Sequence, residues 1–384
     1  MARSPSVAAA VPAACTAALG EARSERPWLR KRGGLSRTAT ILSDRPARIG
    51  YLGASVTAQR AGYRAVVDEW FASKSAHAPE SIAAAFGAIG SAGAVFLADH
   101  LLIERRPDLC LIELTTTDLV GFSPESEIGP AVEGIVRKLA AIDCAPCFVH
   151  LYRRGVDFSD ANPVIREYER VADHYSVPSI NLGLHITQET DSGRLHPEDL
   201  FRDEVHTTEQ GSLQVGRLMT EALQELFAAP ALEPAPLPGP LHQDHYARTQ
   251  ILPITDSMQR QGLPFGRGSF RFNYHYVELQ PGAELEACVG RSLAGALVVV
   301  GPHSGVIELR TADSVSRHNL FDKWCHYERL SVVVFNRSLA KPAAVRLSLT
   351  HEAVDHSICP VDFPGRESSV TTLKLVGLLL REDS

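Results

Sequence analysis

The sequence predicts a two-part protein: a three-layer α/β/α unit built on a parallel sheet, then an antiparallel β-sandwich of jelly-roll type. Three observations carry this reading. Apolar runs alternate with segments of helical periodicity over residues 45–228. A proline-rich stretch, Ala229 to Pro240, then interrupts the chain, and proline at that density continues neither a helix nor a central strand. Beyond it, short runs rich in Val, Leu, Phe and Tyr are separated by turn residues.

In the first part, Ile49 to Leu52, Leu109 to Leu114, Cys147 to Leu151 and Ser179 to Leu182 are nearly continuous in hydrophobicity, as strands covered on both faces are. Between them, Val132, Ile135, Val136 and Leu139 hold the i, i+3, i+4, i+7 spacing of a buried helix face. Ile165, Tyr168 and Ala172 mark a second helix, and Leu213, Leu218, Ala222 and Leu226 a third. In parallel sheets of this kind, working residues gather at the carboxyl ends of the strands. Ser55, Thr117 and His150 fall at or just past such ends.

In the second part the expected strands are Phe270 to Leu279, Ala296 to Val300, Gly305 to Leu309, Leu330 to Phe335, Ala344 to Leu349 and Val370 to Leu380. The division is then an N-terminal extension (1–44), an α/β domain (45–228), a linker (229–241) and a β domain (242–384).

Composition narrows the function classes. The 384 residues are 45% hydrophobic and 22% charged, ordinary for a globular protein, and the net charge of -7 argues against nucleic acid as a partner. No apolar stretch reaches the roughly 18 to 20 residues of a membrane span. The seven scattered cysteines suggest no disulfide scaffold, and a reducing cytoplasm suits them. Cys144 and Cys147 have redox-motif spacing but precede a strand, so they read as structural thiols. His303, His326, His351 and His356 lack a metal-ligand spacing; neither metal nor cofactor is expected.

Chemistry concentrates in two places. Gly53-Ala54-Ser55-Val56-Thr57 follows an apolar strand, so that a tight turn lifts the serine hydroxyl above the sheet edge. Asp203-Glu204-Val205-His206 sets a carboxylate three residues before an imidazole, just ahead of a helix. Nucleophile, base and orienting acid are the parts of serine-type acyl transfer.

With these blocks in place, residues 45 to 228 resemble the SGNH (GDSL-like) hydrolases. Gly53 to Thr57 is similar to that family's first block. Gly87-Ala88-Ile89-Gly90-Ser91-Ala92-Gly93 is similar to its glycine block, Pro107 to Asp118 to its third, and Asp203 to His206 to its last. The resemblance implies a flavodoxin-like fold, Ser55 as nucleophile, and His206 and Asp203 completing the triad. It implies an oxyanion hole from the backbone N–H groups of Ser55 and of Gly90 or Ser91, with residue 117. The family's third block ends in Asn-Asp, and the asparagine donates to the oxyanion. Thr117 stands there instead, and a lost donor of this kind costs on the order of 10²- to 10³-fold in rate.

Smaller expectations accompany these. Tyr63 and Arg64 read as cleft groups or as a polar helix start, His150 as a cleft wall or a structural residue, and Asp118 as a stabiliser of its own turn. In the β domain Trp324, His326, Tyr327 and Arg329 mix aromatic and hydrogen-bonding groups, as a sugar-binding surface or as cover for a sandwich edge. The function expected is an esterase removing short acyl groups, acetyl first, from a saccharide or glycan. The alternatives are an O-acyltransferase using the same serine and a non-catalytic glycan-binding protein.

Overall fold

The computed structural model describes residues 26–230, 236–254, 262–270, 272–312, 314–335, 343–364, 366 and 370–382. The first sheet is formed by β1 (Leu29–Arg30), β2 (Arg48–Gly53), β3 (Glu80–Ala85), β4 (Leu109–Glu113), β5 (Ala145–His150) and β6 (Ser179–Asn181). Their spatial order is β1-β6-β5-β4-β2-β3. Strands β2 to β6 are parallel, and β1 is antiparallel to β6. Counted from β2, the order is 2-1-3-4-5, the flavodoxin-like order, with its switch point where β2 lies between β3 and β4.

Both faces of this sheet are covered, which is why its strands are apolar throughout. Leu52, Ile112 and Phe148 pack with the helices Ser91–Leu101, Glu125–Ala141 and Pro163–Tyr175. Their strand neighbours Tyr51, Leu111 and Val149 point the other way, toward Tyr63–Lys74 and Glu209–Ala228. On the last helix Leu213 is exposed, contrary to the sequence reading, and Val215 and Met219 face the core with Leu218, Ala222 and Leu226. The thiols of Cys144 and Cys147 are buried and pushed up by that burial.

The N-terminal boundary needs correction. Residues 1–25 lie outside the described residues, but Arg26 to Asp44 are part of the domain rather than an extension. Trp28 and Leu29 are buried, β1 pairs with β6, and the helix Ser36–Asp44 packs Leu42 into the core.

The second domain holds β7 (Thr249–Pro253), β8 (Phe265–Phe270), β9 (Phe272–Leu279), β10 (Glu284–Val289), β11 (Ser292–Val300), β12 (Val306–Arg310), β13 (Val315–Asn319), β14 (Arg329–Val334), β15 (Ala343–Leu349) and β16 (Leu373–Arg381). One antiparallel sheet runs β10-β15-β12-β13. The other runs β14-β11-β16-β9-β8, with β7 also on β16. Leu285, Ile307, Leu309 and Leu347 of the first meet Ala296, Val298, Leu375 and Leu378 of the second, the inner layer of a sandwich. The outer face of the second sheet is apolar as well. Leu297, Val299, Leu330, Val376 and Leu379 share one buried cluster with Phe86, Ile89, Val95 and Leu97 of the α/β domain. Gly93 allows the approach, because a Cβ there would stand 3.0 Å from that of Val332.

Past its undescribed residues 231–235, the linker is pinned to the first domain. Arg137 donates to the Pro238 carbonyl at 3.0 Å. His242 lies between Glu133 (2.6 Å) and Glu167 (2.8 Å).

Candidate active site

The site lies at the carboxyl ends of β2 and β4. Strand β2 ends at Gly53, and Ser55 opens the four-residue helix Ser55–Ala58. No side chain fits at residue 53: a Cβ would come within 2.4 Å of Thr57 Oγ1 and 2.9 Å of the Glu113 carbonyl oxygen. The glycine thus permits the tight turn that presents Ser55.

Ser55 Oγ is 2.9 Å from His206 Nε2, and His206 Nδ1 is 2.8 Å from Asp203 Oδ2. With Nδ1–H donating to the carboxylate, Nε2 is left to accept from the serine hydroxyl. Asp203 also accepts the backbone N–H groups of Val205 (2.9 Å) and His206 (2.7 Å) through Oδ1, which fixes the loop. Burial pushes the Asp203 carboxyl up, but these N–H groups and the imidazole outweigh it and hold the group below the ordinary aspartate range. The loop is closed at its base by a bridge between Phe201 and Thr207, and Thr208 caps the helix Glu209–Ala228 by accepting from Gly211 at 3.0 Å.

The glycine block follows β3. Phe86 N–H donates to the Gly53 carbonyl at 3.0 Å, which aligns the two turns. Ala88 takes the left-handed conformation (φ 56°), and Gly90 precedes the helix Ser91–Leu101. Gly90 is required by contact, since a Cβ would lie 2.3 Å from Ser123 Oγ and 2.5 Å from Asp118 Oδ1. Of the expected oxyanion donors, two are engaged elsewhere. The Ser91 N–H donates to Asp118 Oδ1 at 2.9 Å. Thr117 Oγ1 faces two carbonyls, Ile89 at 2.6 Å and Leu114 at 2.8 Å, and a hydroxyl has a single proton to give. The N–H groups of Ser55 and Gly90 have no acceptor among the described residues.

Beneath the site lies a carboxyl group that the sequence reading passed over. Glu113 ends β4 and is wholly buried. It accepts from Thr57 Oγ1 at 2.8 Å and from the Thr116 hydroxyl, and its carbonyl accepts the Ala54 N–H at 3.2 Å. Burial pushes it up to about 7, against the opposing pull of the two threonines. Arg153, also unforeseen, pairs with Glu204 at 2.8 Å and so reaches the Asp203–His206 loop.

The smaller expectations sort out by burial. Tyr63 is buried and bonds Thr57 Oγ1 at 2.9 Å, while Arg64 lies over the Tyr51 ring. His150 is fully buried between Glu169 (3.0 Å) and Thr115 (3.3 Å), a structural residue. Asp118 reaches beyond its own turn: its carboxyl group bonds the Ser91 N–H, the Tyr168 hydroxyl (2.8 Å) and Ser123 of the loop that follows. In the β domain Trp324 and Tyr327 are exposed, and His326 packs against the Tyr327 ring. Arg329 is not available as a surface donor: it is buried and ion-paired with Asp322 of its own loop. Among the described residues, no hydrogen bond or ring contact joins these four to Ser55, Asp203 or His206. Phe270, at the end of β8, reaches the glycine block from the β domain, its ring centre 5.4 Å from that of Phe86.

No family model and no curated protein matches the sequence. Among solved structures, the chain is similar to a two-domain esterase active on acetylated mannans. The TM-score is 0.72 at 19% identity, over 93% of this chain and 98% of that one. The same enzyme co-crystallised with mannopentaose matches equally, with a TM-score of 0.72 at 18% identity over 93% and 97% of the two chains. The chain therefore has an SGNH-hydrolase fold with an added β domain.

Proposed function

We propose that this protein is a serine esterase that removes short acyl groups, acetyl first, from the hydroxyls of a saccharide or glycan. The observation that carries the proposal is the hydrogen-bond chain Ser55–His206–Asp203, at 2.9 and 2.8 Å, beside two open backbone N–H groups.

His206 Nε2 takes the Ser55 proton as Oγ attacks the ester carbonyl. Negative charge gathers on the carbonyl oxygen, where the Ser55 and Gly90 N–H groups receive it. Asp203 holds the imidazole tautomer and stabilises the imidazolium. The proton on Nε2 passes to the departing sugar oxygen, leaving Ser55 acylated. Water then gives its proton to His206, attacks the acyl carbon, and releases the carboxylic acid as Ser55 regains a proton. The saccharide assignment is supported by the fold shared across both domains with an esterase active on acetylated mannans.

The test is acyl release from p-nitrophenyl acetate, p-nitrophenyl butyrate and acetylated manno-oligosaccharides by the parent and Ser55→Ala. Activity that falls to background in the variant and favours acetate over butyrate supports the proposal. Binding of the oligosaccharide without turnover in the parent rejects the esterase in favour of a binding protein. Acyl transfer to added sugar that outruns hydrolysis rejects it in favour of a transferase.

A further inference from the structure

Thr117 occupies the position where the resembling enzymes have an asparagine that donates to the oxyanion, yet its hydroxyl faces elsewhere. Its nearer acceptor, at 2.6 Å, is the carbonyl oxygen of Ile89. That carbonyl and the Gly90 N–H are opposite ends of one peptide unit. A trans peptide is planar, so its C=O and N–H point in opposite directions. A group that holds the Ile89 carbonyl inward therefore holds the Gly90 N–H outward.

We propose that Thr117 is a positioning residue for the oxyanion hole, acting on the Gly90 N–H through the carbonyl of Ile89. The inference rests on the esterase reading above and adds to it a role for the threonine. Its surroundings support it. Thr117 is buried, so water does not compete for its hydroxyl proton, and the Ile89 carbonyl is the nearer of the two acceptors, the Leu114 carbonyl lying at 2.8 Å. The peptides that follow are held separately, with Ser91 N–H on Asp118 and Ala92 N–H on Ser123 Oγ at 3.1 Å. The 89–90 peptide has no such tether besides Thr117 among the described residues.

That peptide is also the one most in need of a tether. Glycine tolerates backbone conformations closed to other residues, so a peptide followed by Gly90 can rotate at little cost. Rotation would turn the Ile89 carbonyl, with its partial negative charge, toward the developing oxyanion. A hydrogen bond to the carbonyl end opposes the rotation and polarises the unit, strengthening the N–H as a donor. On this account the departure from asparagine leaves two backbone donors, one of them set by a neighbour, in place of two backbone donors and a side chain.

The experiment has two arms. In the first, kcat and KM for p-nitrophenyl acetate are measured for the parent, Thr117→Val and Thr117→Ser. Valine keeps the shape and removes the hydroxyl; serine keeps the hydroxyl. The expected result is a kcat lowered on the order of 10- to 100-fold in the valine variant with KM little changed, since an oxyanion donor acts in the transition state, and recovery in the serine variant. A valine variant with parental kcat overturns the inference, as does a serine variant no better than valine.

In the second arm the parent is treated with diethyl p-nitrophenyl phosphate, and the structure of the Ser55 adduct is determined. Thr117 Oγ1 still on the Ile89 carbonyl, with Gly90 N–H on the phosphoryl oxygen, supports the inference. Thr117 Oγ1 on the phosphoryl oxygen makes it a direct donor and overturns it. This arm needs no variant to fold. A parent that neither turns over ester nor reacts at Ser55 overturns the esterase reading and the inference with it. An active parent with an equally active valine variant removes the inference alone.

Discussion

The hydroxyl of Thr57 donates to the carboxyl group of Glu113 at 2.8 Å, two residues beyond Ser55 and out of reach of solvent. Through this bond and the Ala54 N–H on the Glu113 carbonyl, the end of β4 grips the serine turn on both sides. The Thr116 hydroxyl on the same carboxyl group extends the grip to the turn that carries Thr117. The turn of Ser55 and the turn of Thr117 are thus both referred to one buried residue.

Glu113 makes stability depend on pH in a direction unusual for a carboxylate. Burial raises its folded value to about 7, above that of the unfolded chain. Its contribution is therefore full below the unfolded glutamate value of about 4.3 and is lost as pH rises through about 7. Glu113→Gln, which mimics the neutral form, is expected to gain stability relative to the parent between pH 5 and pH 8, by roughly 1 to 3 kcal/mol. Urea unfolding of both proteins at the two pH values checks this; a difference independent of pH would refute it.

Asp203 orders both the loop and the imidazole. Asp203→Asn keeps an acceptor for the Val205 and His206 N–H groups but presents an amide where a carboxylate should receive Nδ1–H. The expected loss in kcat is on the order of 10⁴-fold with little change in melting temperature. Steady-state kinetics on p-nitrophenyl acetate, with thermal unfolding alongside, provide the measurement.

His242 latches the chain just past the linker to the first domain. Burial pulls the imidazole down, but Glu133 and Glu167 prevail and raise it to about 9, while both carboxyl groups are held at about 2. The histidine's share of stability is full below about pH 6.5 and is lost through about 9, and the carboxylates' share is full above about 4.3 and is lost toward about 2. His242→Ala should lower the melting temperature by several degrees at pH 6 and by much less at pH 10. Calorimetry at the two pH values decides it.

Much of this was legible in the sequence where a residue's role follows from its own stretch of chain. Strands β2, β4, β5 and β6 appear as apolar runs because both of their faces are covered. Strand β3 does not: its Ala83-Ala84-Ala85 has little strand preference, and pairing with β2 makes it a strand. The turn at Ser55 and the loop from Asp203 to His206 were readable because turn and loop chemistry is local. That the Ser91 N–H is occupied was not, since its acceptor Asp118 lies 27 residues away. The same holds for Thr117, whose partner Ile89 comes from another crossover, and for Arg329, which turns inward to Asp322. Glu113 did leave a signal: a carboxylate closing an otherwise apolar strand, Leu109 to Ile112, calls for buried partners.

The β domain rests its outer sheet on Phe86, Ile89 and Leu97, the segment that also carries Gly90. Two globular units joined by a linker can melt separately, be exchanged between proteins, or be removed one at a time. Here the second unit supplies part of the wall against which the glycine block is moulded. An apolar wall shared in this way couples the two units, because opening it would expose buried side chains of both to water. A change of side-chain volume on the outer face of β14 or β16 would therefore be felt in the loop after β3, because closely packed neighbours transmit it.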